Sequence, residues 1–257
     1  MKLRAFVVSV LSLALLSGAA MAKGEWQKVQ NRKDCEIWNP NPLEEEKVYW
    51  TVGGCVDGKA HGRGVLVWEY WDEDKTNIDT YIGWMKQGVY QGQGHSVYEG
   101  GTQRKGLFDK GKQFYGYYYY KNGDVYYGEM KKGILEGEGK LTFAKGGWYK
   151  GKFKGGKRHG EGEMLDHRGD RFKGEFENNE PHGIVSVTFA NDVKFRGFFN
   201  DGYPDGYGEM IFPSGAVCGG NFGRGYTMRG AGKAHNKENS NKGTCEKEGS
   251  TTHFTWD

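Results

Sequence analysis

The chain has 257 residues, of which 44 are glycine, 15% aromatic and 27% charged, with a formal net charge of +3. A nearly neutral chain excludes wholesale nucleic-acid binding. Glycine stands at well over twice its usual ~7%, but it recurs at fixed intervals, which excludes a disordered glycine linker.

Residues 1–22 carry the pattern of a secretory leader. Lys2 and Arg4 precede an apolar run over 5–16, and Ala20-Met21-Ala22 closes it as a small-x-small cleavage site. The run is too short to span a bilayer comfortably, so the chain is expected to be exported, periplasmic or extracellular, with Lys23 as the mature N-terminus. Residues 23–50 are not periodic. Trp26, Trp38 and Trp50, with Pro40 and Pro42 among them, suggest an irregular cap over the first open edge of a sheet.

A period begins near Thr51 and runs to about residue 233. The first repeat carries Gly53, Cys55, Gly58, Gly62, Gly64 and Trp68, and a charged insertion around Glu69 and Asn77 reads as a loop. Further repeats start at Tyr81, Arg104, Tyr126, Tyr149, Phe172 and Phe195, and a degenerate eighth starts at Cys218. In residues 234–257, a C-terminal tail or cap, the period stops.

The clearest copies are Tyr126, Gly128, Met130, Gly133, Gly137, Gly139, Phe143, Gly146 and Tyr149, Gly151, Phe153, Gly156, Gly160, Gly162, Asp166, Gly169. Counting each repeat from its first aromatic, positions 1, 3 and 5 share one face of a strand, as do 14, 16 and 18. Lys150, Lys152 and Lys154 alternate with them on a wet face. Gly133 and Gly156 mark the reversal inside a repeat; Asn122-Gly123, Arg168-Gly169 and Ser214-Gly215 mark the reversal between repeats. Glycine at position 3 weakens a strand, so it is expected to leave room for a ring from the facing strand, Phe143 in the case of Gly151.

This spacing resembles the MORN repeat. The resemblance implies an all-β chain, one elongated domain of about eight β-hairpins stacked as an antiparallel sheet or solenoid, and a scaffold or membrane-associating role. It does not imply a particular activity.

Four cysteines in an exported chain favour disulfides. Cys55 and Cys218 fall at positions 5 and 1, inward slots, so the expected pairs are Cys35–Cys55 and Cys218–Cys245. His61, His159 and His182 share position 11. One repeat of separation puts His159 and His182 nearly 10 Å apart at ~4.8 Å per strand, too far for one metal, so they read as turn residues. Gly137-x-Gly139, Gly160-x-Gly162 and Gly206-x-Gly208 lack the strand-to-helix context of a phosphate loop. No cofactor, metal or catalytic constellation is expected.

Two outward clusters remain as a binding surface. Tyr117 and Tyr119 point out beside Tyr127, while Tyr118 and Tyr120 point in. Lys150, Lys152, Lys154, Lys157 and Arg158, with Arg171 and Lys173, form a basic patch. The reading is a non-catalytic exported scaffold that binds a protein partner. The alternative is a cell-envelope binder taking glycan on the tyrosines or anionic lipid on the lysines. Oligomeric state is left open.

Overall fold

The computed structural model describes residues 24–72, 75–222, 241–247 and 250–256, with Asp72 and everything beyond residue 222 described by backbone alone. The expected leader, residues 1–22, lies outside the described residues. Twenty strands form the described chain. The first six are β1 (Glu25–Lys28), β2 (Glu36–Asn39), β3 (Lys47–Thr51), β4 (Gly54–Val56), β5 (Lys59–Asp72) and β6 (Lys75–Lys86). The next six are β7 (Val89–Val97), β8 (Gln103–Asp109), β9 (Lys112–Tyr119), β10 (Val125–Lys131), β11 (Ile134–Thr142) and β12 (Trp148–Lys154). The last eight are β13 (Lys157–Leu165), β14 (Arg171–Glu177), β15 (Glu180–Thr188), β16 (Lys194–Asn200), β17 (Tyr203–Ile211), β18 (Val217–Phe222), β19 (Asn241–Lys247) and β20 (Ser250–Trp256).

From β5 onward each strand pairs antiparallel with the next, so the sheet is an open meander. The hairpin β19–β20 extends it by two strands beyond the periodic region. At the other end the free edge of β3 is not left open. Gln30 N–H donates to Val48 O at 2.8 Å, and the Asn31 side chain exchanges hydrogen bonds with the Trp50 backbone at 3.1 Å in both directions. Those contacts satisfy backbone groups that would otherwise template aggregation.

Two kinds of turn make the meander. Inside a repeat the loop has two residues, both with positive φ: Lys132 and Gly133 at 54° and 81°, Gly155 and Gly156 at 57° and 83°, Asn178 and Asn179 at 52° and 81°. This is the type I′ geometry whose twist matches paired strands. Between repeats the loop is longer. Tyr120 N–H donates to Asp124 O, Gly123 N–H donates to Tyr120 O, and only Gly123 has positive φ. Asn122-Gly123 therefore reverses the chain, but not as the two-residue hairpin that the dipeptide suggests.

The charged insertion is not a loop. It lengthens β5 and β6, which stay paired out to Trp71 with Thr76 and Asp72 with Lys75. The first repeat also departs from the expected register. Trp50, not Thr51, pairs with Leu66 in the row where Tyr126 pairs with Leu141, and it is fully buried. One extra residue, Val52 at φ 70°, separates this ring from Gly53.

The apolar face is buried in three clusters. The first joins cap residues Val29, Cys35, Ile37 and Val48 to Trp50, Leu66, Tyr81 and Phe108. The second gathers Tyr126, Tyr149, Phe153 and Phe176, and the third Val185, Val187, Phe195, Phe199 and Phe222.

Candidate functional site

Each regular repeat seats its first aromatic flat on the sheet. A Cβ added at Gly139 would lie 2.4 Å from the Tyr126 hydroxyl, and one at Gly162 2.4 Å from that of Tyr149. The hydroxyl reaches past the glycines and donates to the carbonyl three residues on, Glu129 O at 2.6 Å and Lys152 O at 3.0 Å. Glycine at position 14 thus underlies a ring from the facing strand. Glycine at position 3 does something else. A Cβ at Gly151 would meet Gly162 Cα at 2.5 Å, Glu161 O at 2.6 Å and the Tyr149 hydroxyl at 2.8 Å. The ring belongs to its own strand, and Phe143 is not among those nearest atoms.

Position 12 is the residue that spacing did not explain. Gly137, Gly160 and Gly183 hold φ of 74°, 66° and 69°, where each hairpin ladder slips its register. The first glycine of each Gly-x-Gly is a bulge residue and the second lies beneath a ring or against the partner backbone, so neither cradles a phosphate. The bulge also frees a carbonyl at position 10, which takes the turn N–H of the next repeat: Gly133 to Gln113 at 3.2 Å, Gly156 to Leu135 at 3.0 Å, Gly202 to Pro181 at 3.1 Å.

On the wet face the tyrosines meet as placed. Tyr117 and Tyr127 are 40% exposed and their ring centroids are 4.5 Å apart. Tyr119 stacks on Tyr117 at 5.8 Å with planes 17° apart. Tyr115, two residues before Tyr117 and so on the same face, joins them and donates its hydroxyl to Tyr127 at 2.9 Å. That bond holds the Tyr127 phenol above its ordinary pKa. Tyr118 and Tyr120 face inward, 4.5 Å apart.

The basic patch is less basic than its sequence. Lys150 and Lys173 both pair across the ladder with Glu163, and Lys152 with Glu138. Glu163 is also bridged by Arg171. Lys154 and Lys157 close one hairpin tip, where Lys157 Nζ donates to Asn178 Oδ1 at 3.2 Å. Arg158 is not part of the patch. It sits at position 10 on the inner face, its guanidinium 5.7 Å from the ring centroids of both Phe143 and Tyr149, and it donates to Asn179 O. Burial pulls its pKa below the usual arginine value.

Cys35 and Cys55 are disulfide-bonded. The geometric reason differs from the one that suggested it, since Cys35 is buried and Cys55 exposed beside the first hairpin tip. Cys218 is buried and lies opposite Cys245 in the ladder, but the Cys245 side chain lies outside the described residues. Among those residues no group of three or more His, Cys, Asp or Glu side chains assembles. A groove of about 390 Å³ opens along the between-repeat loops, over Phe143, Lys145, Met164, Asp166 and His167.

These features define a class of protein, an open-sheet β-hairpin repeat protein built on aromatic rings laid over glycines. The family model of the MORN repeat matches at five places, residues 53–69, 126–148, 149–171, 172–184 and 195–217, and the chain belongs to the MORN repeat family. Hairpins β6–β7 and β8–β9 lie outside those matches, yet Tyr81 still covers Gly83 and Gly94. Comparison with the curated proteins gives no match. MORN repeats generally serve as interaction or scaffold modules.

Proposed function

We propose that this chain is an exported, non-catalytic scaffold that holds a protein partner on the outer face of its third and fourth repeats. The observation that carries this is the cluster of Tyr115, Tyr117, Tyr119 and Tyr127, four rings linked by ring contacts on a face that no second layer covers among the described residues. Exposed aromatics of low side-chain entropy are the residues on which protein interfaces concentrate their energy. Export is supported by the Cys35–Cys55 disulfide, which suits an oxidising compartment. Mass spectrometry of the secreted fraction should find Lys23 at the N-terminus; an intact Met1 in a soluble cytosolic pool would defeat the export reading.

The experiment for the surface is affinity capture from cell-envelope extract by the parent and by Tyr117→Lys with Tyr127→Lys. A protein retained by the parent and lost by the variant, with both melting alike, supports the site. Equal retention by both overturns it. A second reading, glycan on the same rings, is favoured by the near-parallel Tyr117 and Tyr119 faces. Binding of the parent to polysaccharide beads, lost in the same variant, would favour it. Anionic lipid is the weaker half of that reading, because glutamates interleave the lysines.

A further inference from the structure

The third repeat breaks the inner stripe. Where the other repeats, the degenerate eighth apart, have an aromatic at position 1 it has Arg104, and the space over its paired glycines is filled by the amide of Gln113. Cβ atoms at Gly106 and Gly116 would lie 3.0 and 3.1 Å from Gln113 Nε2, which donates to Lys105 O at 3.2 Å and Tyr117 O at 3.1 Å. Gln113 holds the seat of the ring, and Arg104 is left to reach along the inner face. Its guanidinium carbon lies 5.6 Å from the Tyr98 ring centroid and 5.2 Å from that of Tyr118. Its Nη1 comes near the Gly133 turn.

What surrounds this cation is unusual for a buried face. Among the described residues no carboxylate lies within ion-pair distance of it, whereas Arg168 and Arg171 further along the sheet are bridged by Asp166 and Glu163. Its Nε is buried without an acceptor. Ser96, its partner across the ladder, is 1% exposed, and its hydroxyl has no partner either. Gln113 Oε1 is a third orphan in the same hairpin pair. Unpaired buried donors are costly, and a charged one more so. Such clusters persist where function needs them. The notch also falls between the first and second apolar clusters, with Tyr98, Arg104, Tyr118 and Tyr120 all half-buried and so reachable from the inner groove.

We propose that this notch binds an oxyanion, a carboxylate or phosphate group gripped by the Arg104 guanidinium between Tyr98 and Tyr118 and met by the Ser96 hydroxyl. A guanidinium presents paired N–H donors that match two oxygens of such a group. The flanking rings exclude water and strengthen that contact. A carboxylate on an aromatic stem fits best, because the tyrosines then also contact the stem. The site is on the opposite face from the tyrosine cluster that carries the proposed partner surface, so the two can be lost separately.

The test is calorimetric titration of the full mature chain with sodium benzoate, and separately with inorganic phosphate, at constant ionic strength. The parent should bind benzoate saturably at one site. The dissociation constant should rise at least tenfold in Arg104→Met and several-fold in Ser96→Ala, with Lys173→Met on the outer face unchanged. Arg104→Lys keeps the charge without the planar fork and should fall between parent and Arg104→Met. Without ligand, Arg104→Met should melt no lower than the parent, since it removes a buried Nε donor that has no acceptor. Saturation by phosphate alone supports the oxyanion site and assigns it to phosphate. Equal affinity in Arg104→Met, no saturable binding of either probe, or an Arg104→Met variant that melts lower with binding unchanged overturns it.

Discussion

Tyr149 shows how one side chain ties two strands together. Its ring covers Gly162 on the facing strand, and its hydroxyl donates to Lys152 O on its own. Gly151→Val drives a branched side chain into Gly162 Cα and Glu161 O, both backbone atoms that cannot swing away. Overpacking of that kind costs about 1–3 kcal/mol, whereas exposed Lys152→Val next door should stay within ~0.5 kcal/mol. Urea melts of the two variants check this, and a Gly151→Val variant as stable as the parent would remove the close-approach account. Burial pushes the Tyr149 phenol up to about 12, and Tyr81 and Tyr126 rise further for the same reason. The folded state therefore prefers neutral tyrosine. That preference costs nothing below the unfolded pKa of ~10 and erodes stability as pH climbs from there through the folded value. Urea midpoints measured from pH 8 to 12 should fall, and Tyr149→Phe should fall less steeply after losing ~1 kcal/mol at neutral pH with its hydrogen bond. The period made the position-3 glycine visible in the sequence. It did not show what the glycine makes room for, because the choice between a facing ring and its own strand's ring depends on a χ angle that spacing leaves open.

At the scale of the hairpin, the two-residue turns are the regular feature. Lys132 holds φ 54°, a left-handed conformation that costs a side chain with Cβ about 1–2 kcal/mol and that Asn tolerates better. Lys132→Asn should stabilise by about 0.5 kcal/mol, read as a higher urea midpoint with unchanged slope. A lower midpoint would show that the lysine makes a contact worth more than its strain. The ladder opposes Cys218 and Cys245, so non-reducing peptide mapping should recover that pair beside Cys35–Cys55; a Cys55–Cys218 peptide would contradict both. Alternation placed most side chains correctly on their faces, Lys150 and Tyr118 among them. The outward reading of Arg158 followed the run of basic residues and not the alternation: the ladder slips by two residues, Gly151 pairing with Gly162 and Phe153 with Arg158, so position 10 keeps the inward phase of position 14. Spacing took Thr51 for the first ring position because Val52 adds a residue between Trp50 and Gly53. The neutralisation of the lysines by Glu138 and Glu163 was legible in principle from the repeat register, which sets which outward residues meet across strands.

The whole molecule is a line of hairpins, and its stability should follow the line. Each hairpin packs chiefly against its neighbours, so the array behaves as a sum of local and nearest-neighbour contributions, not as one all-or-none unit. The three apolar clusters are its natural blocks, and polar Ser96, Arg104 and Gln113 weaken the joint between the first and the second. The first block has the further advantage of the Cys35–Cys55 bridge, which closes a separation of 20 residues and should add ~3 kcal/mol. Phe199 is 2% exposed in the third block and packs edge-on against Phe195, with ring centroids 5.8 Å apart. Phe199→Ala should cost about 3–5 kcal/mol locally. In native-state hydrogen exchange that loss should appear in the amides of β15, β16 and β17, while β5 and β6 keep the protection of the parent. Melts followed by Trp fluorescence, which samples mainly the first block, should then move less than melts followed by far-ultraviolet dichroism. If every amide loses protection equally and the two melts coincide, the chain folds as one cooperative unit and the weak joint at Arg104 does not divide it.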